Sequence, residues 1–195
     1  MPDKSMRLFV CNGSPFDCRV VLVGINPAFT GFKKTVSFWN FWNDESGFDI
    51  QKWLSSFKKQ RLTNGKPELT KSRNLIEYFR EKLEEKSILL MDTNIYMKET
   101  PRYSQLKNSE KDTESFWYLI KTINPQIIIL HGKIPIEHFE EKTGEKILRR
   151  RNKDAPVNIN IFGKQTKVFA YHHISYQMSK DRLSKISNVI AKNLS

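Results

Sequence analysis

Cysteine is almost absent: the 195 residues hold only Cys11 and Cys18. Two thiols cannot complete a four-thiolate zinc or iron–sulfur site, so a centre built from cysteine alone is excluded. They flank the turn-rich segment Asn12–Asp17, where a hairpin could bring them close, and they read as reduced thiols of an intracellular protein. Long apolar runs are missing as well. Nothing approaches the ~20 residues of a membrane span, and the N-terminal MPDKSMRLF lacks the apolar core of a secretory signal. A cytoplasmic protein is expected. Acidic residues are in short supply, 21 against 33 basic ones, giving a formal net charge of +12. Such an excess implies a polyanionic partner, and its clustering points to nucleic acid.

Apolar residues are lean at 38%, yet aromatics reach 12%, and each buries a large area, so the chain is expected to fold rather than stay disordered. Its length suits one domain over residues 1–195, without repeats or a linker. Four apolar runs read as strands: RVVLVGI (19–25), SILLMDT (87–93), QIIILHG (126–132) and TKVFAYH (166–172). Three are nearly continuous, the mark of parallel strands covered on both faces. The fourth alternates more and follows VNINIF and a glycine turn, which predicts a hairpin partner.

Helical patterns fill the gaps. SFWNFWNDES sets aromatics at 38, 39, 41 and 42, which predicts a helix with a thick apolar face. RNLIEYFREKLEEK, TESFWYLIKTI, PIEHFEEKTG and KDRLSKISNVIAKNL carry helical spacing, the second stopped by Asn124-Pro125 and the third by Gly144. Residues 49–72 are polar and turn-rich and read as a long surface loop beside a helix. Alternating strands and helices predict an α/β fold, a three-layer αβα sandwich around a central, mainly parallel four-stranded sheet.

In an open α/β sheet ligands gather beyond the carboxyl ends of the strands, where loops and helix N-termini converge. The four runs deliver Gly24-Ile25-Asn26-Pro27, Thr93-Asn94, His131-Gly132-Lys133 and His172-His173-Ile174-Ser175 to that edge. Asparagines, histidines, a lysine and a serine thus face one rim.

These segments resemble, in order over residues 19–183, the uracil-DNA glycosylase superfamily. LVGINPAFTGF is similar to its first motif, in the Gly-Ile-Asn-Pro form of the mismatch-specific and thymine-DNA branches. FWNFWNDESGFD resembles the aromatic helix after that motif, LLMDTNIYMKETP the strand ending in Thr-Asn where the base is read, INPQIIILHGK the Pro-strand-Gly-Lys segment, and HHISYQMS the second motif with its DNA-inserting loop. Departures are Ile174 for the usual proline, His172 as an extra histidine, Ala28 where glycine is frequent, and the missing four cysteines of the iron–sulfur branches.

The resemblance implies hydrolysis of the N-glycosidic bond of uracil or a related damaged pyrimidine in DNA, by base flipping, without metal or cofactor, by a monomer. Asn26 would hold the attacking water, since an amide orients water but takes no proton at neutral pH. His173 would donate a hydrogen bond to the departing base, with His172 as the competitor because adjacent strand residues face opposite ways. His131 reads as structural and His138 as a surface residue. Asn94 matches the O4 and N3–H edge of uracil, and Gly24, Ile25, Pro27, Phe32 and Phe38 complete the base pocket, with Phe29 a further candidate to stack on the base and Phe32 preferred because Gly31 frees its backbone. Tyr176, Gln177 and Met178 are wedge candidates for the vacated stack. Lys33, Lys34, Lys133, Arg149, Arg150 and Arg151 would track phosphates, helped by Ser175 and Ser179. Two alternatives stay open: a nucleic-acid-binding member without turnover, and a hydrolase of free nucleosides, which would have no need of a basic surface.

Overall fold

The structure is a computed structural model that describes residues 7–27, 37–100, 102–148 and 151–194. The chain runs β1 (Phe9–Val10), β2 (Val20–Gly24), a short 3-10 turn (Phe38–Phe41), β3 (Trp42–Asn43), β4 (Gly47–Phe48), α1 (Ile50–Thr63), α2 (Lys71–Glu84) and β5 (Leu90–Asn94). It continues through α3 (Glu114–Ile123), β6 (Ile127–His131), α4 (Lys133–Thr143), β7 (Val157–Ile161), β8 (Lys164–Tyr171), α5 (Ile174–Gln177) and α6 (Lys180–Leu194).

The central sheet has six strands in the order β1-β5-β2-β6-β8-β7. The four expected strands are its parallel middle, β5, β2, β6 and β8. Two antiparallel strands flank them, β1 beside β5 and β7 beside β8, so the expected count of four is corrected to six. The two-residue β1 was too short to leave a hydrophobic run of its own.

Alternation along the middle strands divides the core. Val21, Val23, Met91, Ile128, Leu130 and Val168 pack with α1, α3 and α4, whereas Val20, Leu22, Leu90, Ile127, Ile129 and Phe169 pack with α2 and α6. Helices therefore cover both faces, and the architecture is the expected αβα sandwich. Because the period in a strand is 2, Gly24, Asn94, His131 and Tyr171 fall on the α2 and α6 face. They occupy the last positions of β2, β5, β6 and β8.

Two local expectations are corrected. Residues 38–48 form one 3-10 turn and the β3–β4 hairpin rather than a helix. The rings of Phe38, Trp42 and Phe48 cluster there, Phe38 stacking on Phe48 at 5.3 Å and on Trp42 at 6.4 Å. Residues 50–63, expected as loop, form α1, whose buried face rests on Ile50, Trp53 and Phe57 and whose start is capped by Asp49 accepting from the Lys52 amide at 2.8 Å.

A buried ionic cluster ties α2 to β5. Arg73 donates to Asp92 at 2.9 Å and to Glu77 at 2.8 Å, and Arg80 bonds Glu77 at 3.2 Å. Arg80 also donates to the carbonyls of Leu90 and Val10, holding β1 and β5. Burial opposes charge on Asp92, but Arg73, Arg80 and Arg7 outweigh it and hold its carboxyl below the usual carboxylate range. Asp92 stands two positions before Asn94, so this cluster fixes the strand end that carries the amide.

Candidate active site

Strand β2 ends and the chain turns at Ile25 and Asn26 against the segment following β5. Ile95 donates its amide to the Gly24 carbonyl at 3.0 Å, Tyr96 to Ile25 at 2.9 Å and Thr100 to Pro27 at 3.3 Å. The Asn26 side chain closes the same seam. Its Nδ2 donates to Thr100 Oγ1 at 2.9 Å and to the Pro27 carbonyl at 3.3 Å. A carbonyl can only accept, and the Thr100 hydroxyl already donates to the Arg102 carbonyl at 3.0 Å. Both partners therefore demand the NH2 side of the amide. Among the described residues nothing donates to Asn26 Oδ1, an amide oxygen that can only accept.

Across the sheet, Gly24 pairs with Asn94 on β5, and the register of Val23 with Leu130 sets His131 at its other side. A Cβ on Gly24 would lie 2.7 Å from Asn94 Oδ1 and 3.0 Å from His131 Nε2. Only glycine keeps that space open between an amide and an imidazole. His131, expected to be structural, is buried and borders this gap with its Nε2. Its ring meets that of His173 edge-on at 5.1 Å. Burial, and then His173, push the His131 ring down to about 3.

His173 caps the short α5. Its Nδ1 accepts from the Ser175 backbone amide at 3.3 Å and lies 2.8 Å from Ser175 Oγ. A backbone N–H can only donate, so Nδ1 is the unprotonated nitrogen and Nε2 carries the hydrogen in the neutral ring. Burial lowers the His173 pKa, which keeps the ring neutral near pH 7. Gly132, at φ 103°, begins α4 beside this ring: a Cβ there would be 3.7 Å from His173 Cδ2. The positive end of the α4 dipole thus lies near His173, where negative charge is favoured.

No ring contact joins His172 to His131 or His173 among the described residues. The His172 backbone amide donates to Asn152 Oδ1 at 3.0 Å, and the His172 pKa is lowered by partial burial and by nearby Arg151. Ser175, expected at phosphates, is engaged with His173, and Ser179 caps α6 by accepting from the Arg182 amide at 3.1 Å. Of the wedge candidates, Tyr176 is 82% exposed and Gln177 is exposed, with the Tyr176 ring 5.6 Å from that of His173. Met178, the third candidate, is partly buried and packs on the α2 and α6 core. Lys133 is exposed and pairs with Glu137 at 3.3 Å, an exchangeable surface contact. Phe38 is partly buried in its aromatic cluster. His138 is no free surface group: its Nε2 accepts from Trp117 Nε1 at 3.0 Å. Phe29, Phe32, Lys33, Lys34, Arg149 and Arg150 lie outside the described residues.

Thr100 and His131 border the candidate site without having been assigned a part in it from the sequence. Thr100 sits in KETP with no periodic signal. His131 had one: it shares the strand parity of Ile127 and Ile129, as Gly24 shares that of Val20 and Leu22.

The arrangement joins an outward amide oxygen, a neutral imidazole N–H and a planar amide over a glycine gap at one sheet edge. The family model of the Uracil DNA glycosylase superfamily matches residues 11–192, nearly the whole chain. The chain belongs to the Uracil DNA glycosylase superfamily. Members of this superfamily are in general DNA glycosylases, hydrolases that act on DNA. No curated protein matches the chain significantly.

Proposed function

We propose that this superfamily member hydrolyses the N-glycosidic bond of uracil, or a related damaged pyrimidine, after the nucleotide is extruded from DNA. Support comes first from Asn26. With its NH2 group committed to Thr100 and Pro27, its Oδ1 has the chemistry to hold one water for attack on the sugar carbon. The water oxygen bonds to C1′ as the C1′–N bond breaks and its electron pair leaves with the base. An amide takes no proton, so the proton of the water passes to solvent.

Most of the rate must then come from stabilising the leaving anion. The Nε2–H of His173 is suited to a base carbonyl oxygen, and the N-terminus of α4 adds favourable potential. Asn94 supplies a donor and an acceptor on one plane for the O4 and N3–H edge, a pattern that cytosine reverses. Tyr176 and Gln177, both exposed, would fill the vacated stack. The net charge of +12 suits a phosphate backbone.

The test is a cleavage panel on oligonucleotides carrying uracil, thymine mismatches, hypoxanthine and xanthine, with strand scission at the abasic product as readout. Scission at uracil supports the proposal. Tight DNA binding with no scission at any base would leave a binding protein without turnover.

A further inference from the structure

His131 has a feature the mechanism above leaves unused. It is 8% exposed, and its Nδ1 is the one buried side-chain nitrogen or oxygen without a hydrogen-bond partner among the described residues. A buried unpaired group in a native fold calls for an account. The ring's neighbourhood is largely apolar: His131 lines a small cavity with Leu22, Ile129, Tyr171, Ile174, Met178 and Leu183. An orphaned N–H is the rarer form of such a defect, an under-satisfied acceptor the more tolerated one. The proton therefore belongs on Nε2, the nitrogen that borders the space over Gly24 beside Asn94 Oδ1.

Two neutral imidazoles thus stand edge to face at 5.1 Å, each with its Nε2 protonated, one by the demand of the Ser175 amide and one by burial of Nδ1. Resting on the hydrolysis reading above, we propose that His131 is a specificity-determining residue: a second N–H donor that, with His173, selects bases carrying two carbonyl oxygens. When the C1′–N bond breaks, the electron pair delocalises from the base nitrogen onto its carbonyl oxygens. A 2,4-dioxopyrimidine or a 2,6-dioxopurine offers two such oxygens. Cytosine and hypoxanthine offer one, and would leave a donor unmet in a buried site. Neither imidazole gives up its proton, so both rings stay neutral through the step.

The test compares the parent with His131→Leu, which removes the donor at similar volume, and His131→Gln, which keeps an N–H. Single-turnover cleavage is measured on uracil, xanthine, cytosine and hypoxanthine in the same oligonucleotide. His131→Leu should lose about tenfold or more on uracil and xanthine, narrow their lead over hypoxanthine, and be largely rescued by His131→Gln. Parental rates and ratios in His131→Leu would overturn the assignment while leaving hydrolysis intact. If the parent cleaves nothing, hydrolysis fails separately, and the assignment is read from affinity for uncleavable 2′-fluoro nucleotides. Loss of a uracil-over-cytosine preference in His131→Leu then supports it, and an unchanged or absent preference overturns it. If His131→Leu does not fold, the imidazole tautomer of the 15N-labelled parent decides: protonation at Nε2 supports the assignment, protonation at Nδ1 overturns it.

Discussion

The side-chain amide of Asn26 and the hydroxyl of Thr100 meet at 2.9 Å, joining the end of β2 to the segment after β5. This bond, with that to the Pro27 carbonyl, determines which side of the amide faces outward. Thr100→Val keeps the shape and removes the acceptor. It should slow single-turnover cleavage by about tenfold, the scale of a mispositioned reacting group, with little change in affinity for an uncleavable analogue. Thr100→Ser should stay near the parent. Equal rates for Thr100→Val and the parent would show that the amide is held without it.

The cluster behind Asn94 makes a prediction on stability. Asp92 faces Arg73 and Arg80, both nearly fully buried, and Glu77 bridges the two arginines. Removing one partner of a buried ion pair strands the others, at a cost of about 3–5 kcal/mol. Asp92→Asn should lower the unfolding free energy by about that amount in urea titrations, while an exposed control such as Glu45→Gln should change it by less than about 0.5 kcal/mol.

Acid should destabilise the fold well before its carboxylates protonate. Burial lowers the folded-state pKa of His131 to about 3, and also lowers those of His173 and His138, from an ordinary 6.5. Below pH 6.5 the unfolded chain takes up protons that the native rings refuse. Stability therefore falls with pH from about 6.5 down toward about 3. By pH 5 the loss from His131 alone comes to about 2 kcal/mol. Asp92 has a depressed folded pKa, so its contribution is lost only in stronger acid. Urea midpoints at pH 7 and pH 5 should differ clearly in the parent and less in His131→Leu. Equal pH dependence in the two would contradict a buried neutral ring.

The legible parts of the fold were those where hydrophobicity was continuous. Val20–Val23, Leu90–Met91 and Ile127–Leu130 are buried on both faces, so their runs identify strands, and the polar residues ending them mark the site. Asn26, Asn94 and His173 are singled out in that way. The aromatics at 38, 41 and 42 misled because spacing alone does not separate a helix from a 3-10 turn entering a hairpin. The partner that decides, Phe48, pairs with Trp42 across β3 and β4. Helix α1 reads as loop in the sequence because its second half is polar apart from Phe57 and Leu62, and its hold on the core comes from Ile50, Trp53 and Phe57 with Leu54 partly buried beside them. Thr100 depends on a pairing between distant segments that no local pattern records, whereas His131 follows from strand parity and only its meeting with His173 depends on the pairing of β6 with β8.

The most direct test of the account is single-turnover cleavage of a uracil-containing duplex by the parent, Asn26→Ala and His173→Ala, alongside affinity for an uncleavable uracil analogue. Both groups act mainly in the transition state, so each variant should lose about 10²–10³ in rate while binding changes far less. His172→Ala, where the backbone amide that bonds Asn152 is kept, should cleave like the parent. Normal cleavage by both Asn26→Ala and His173→Ala would contradict the mechanism, as would a larger loss in His172→Ala than in His173→Ala.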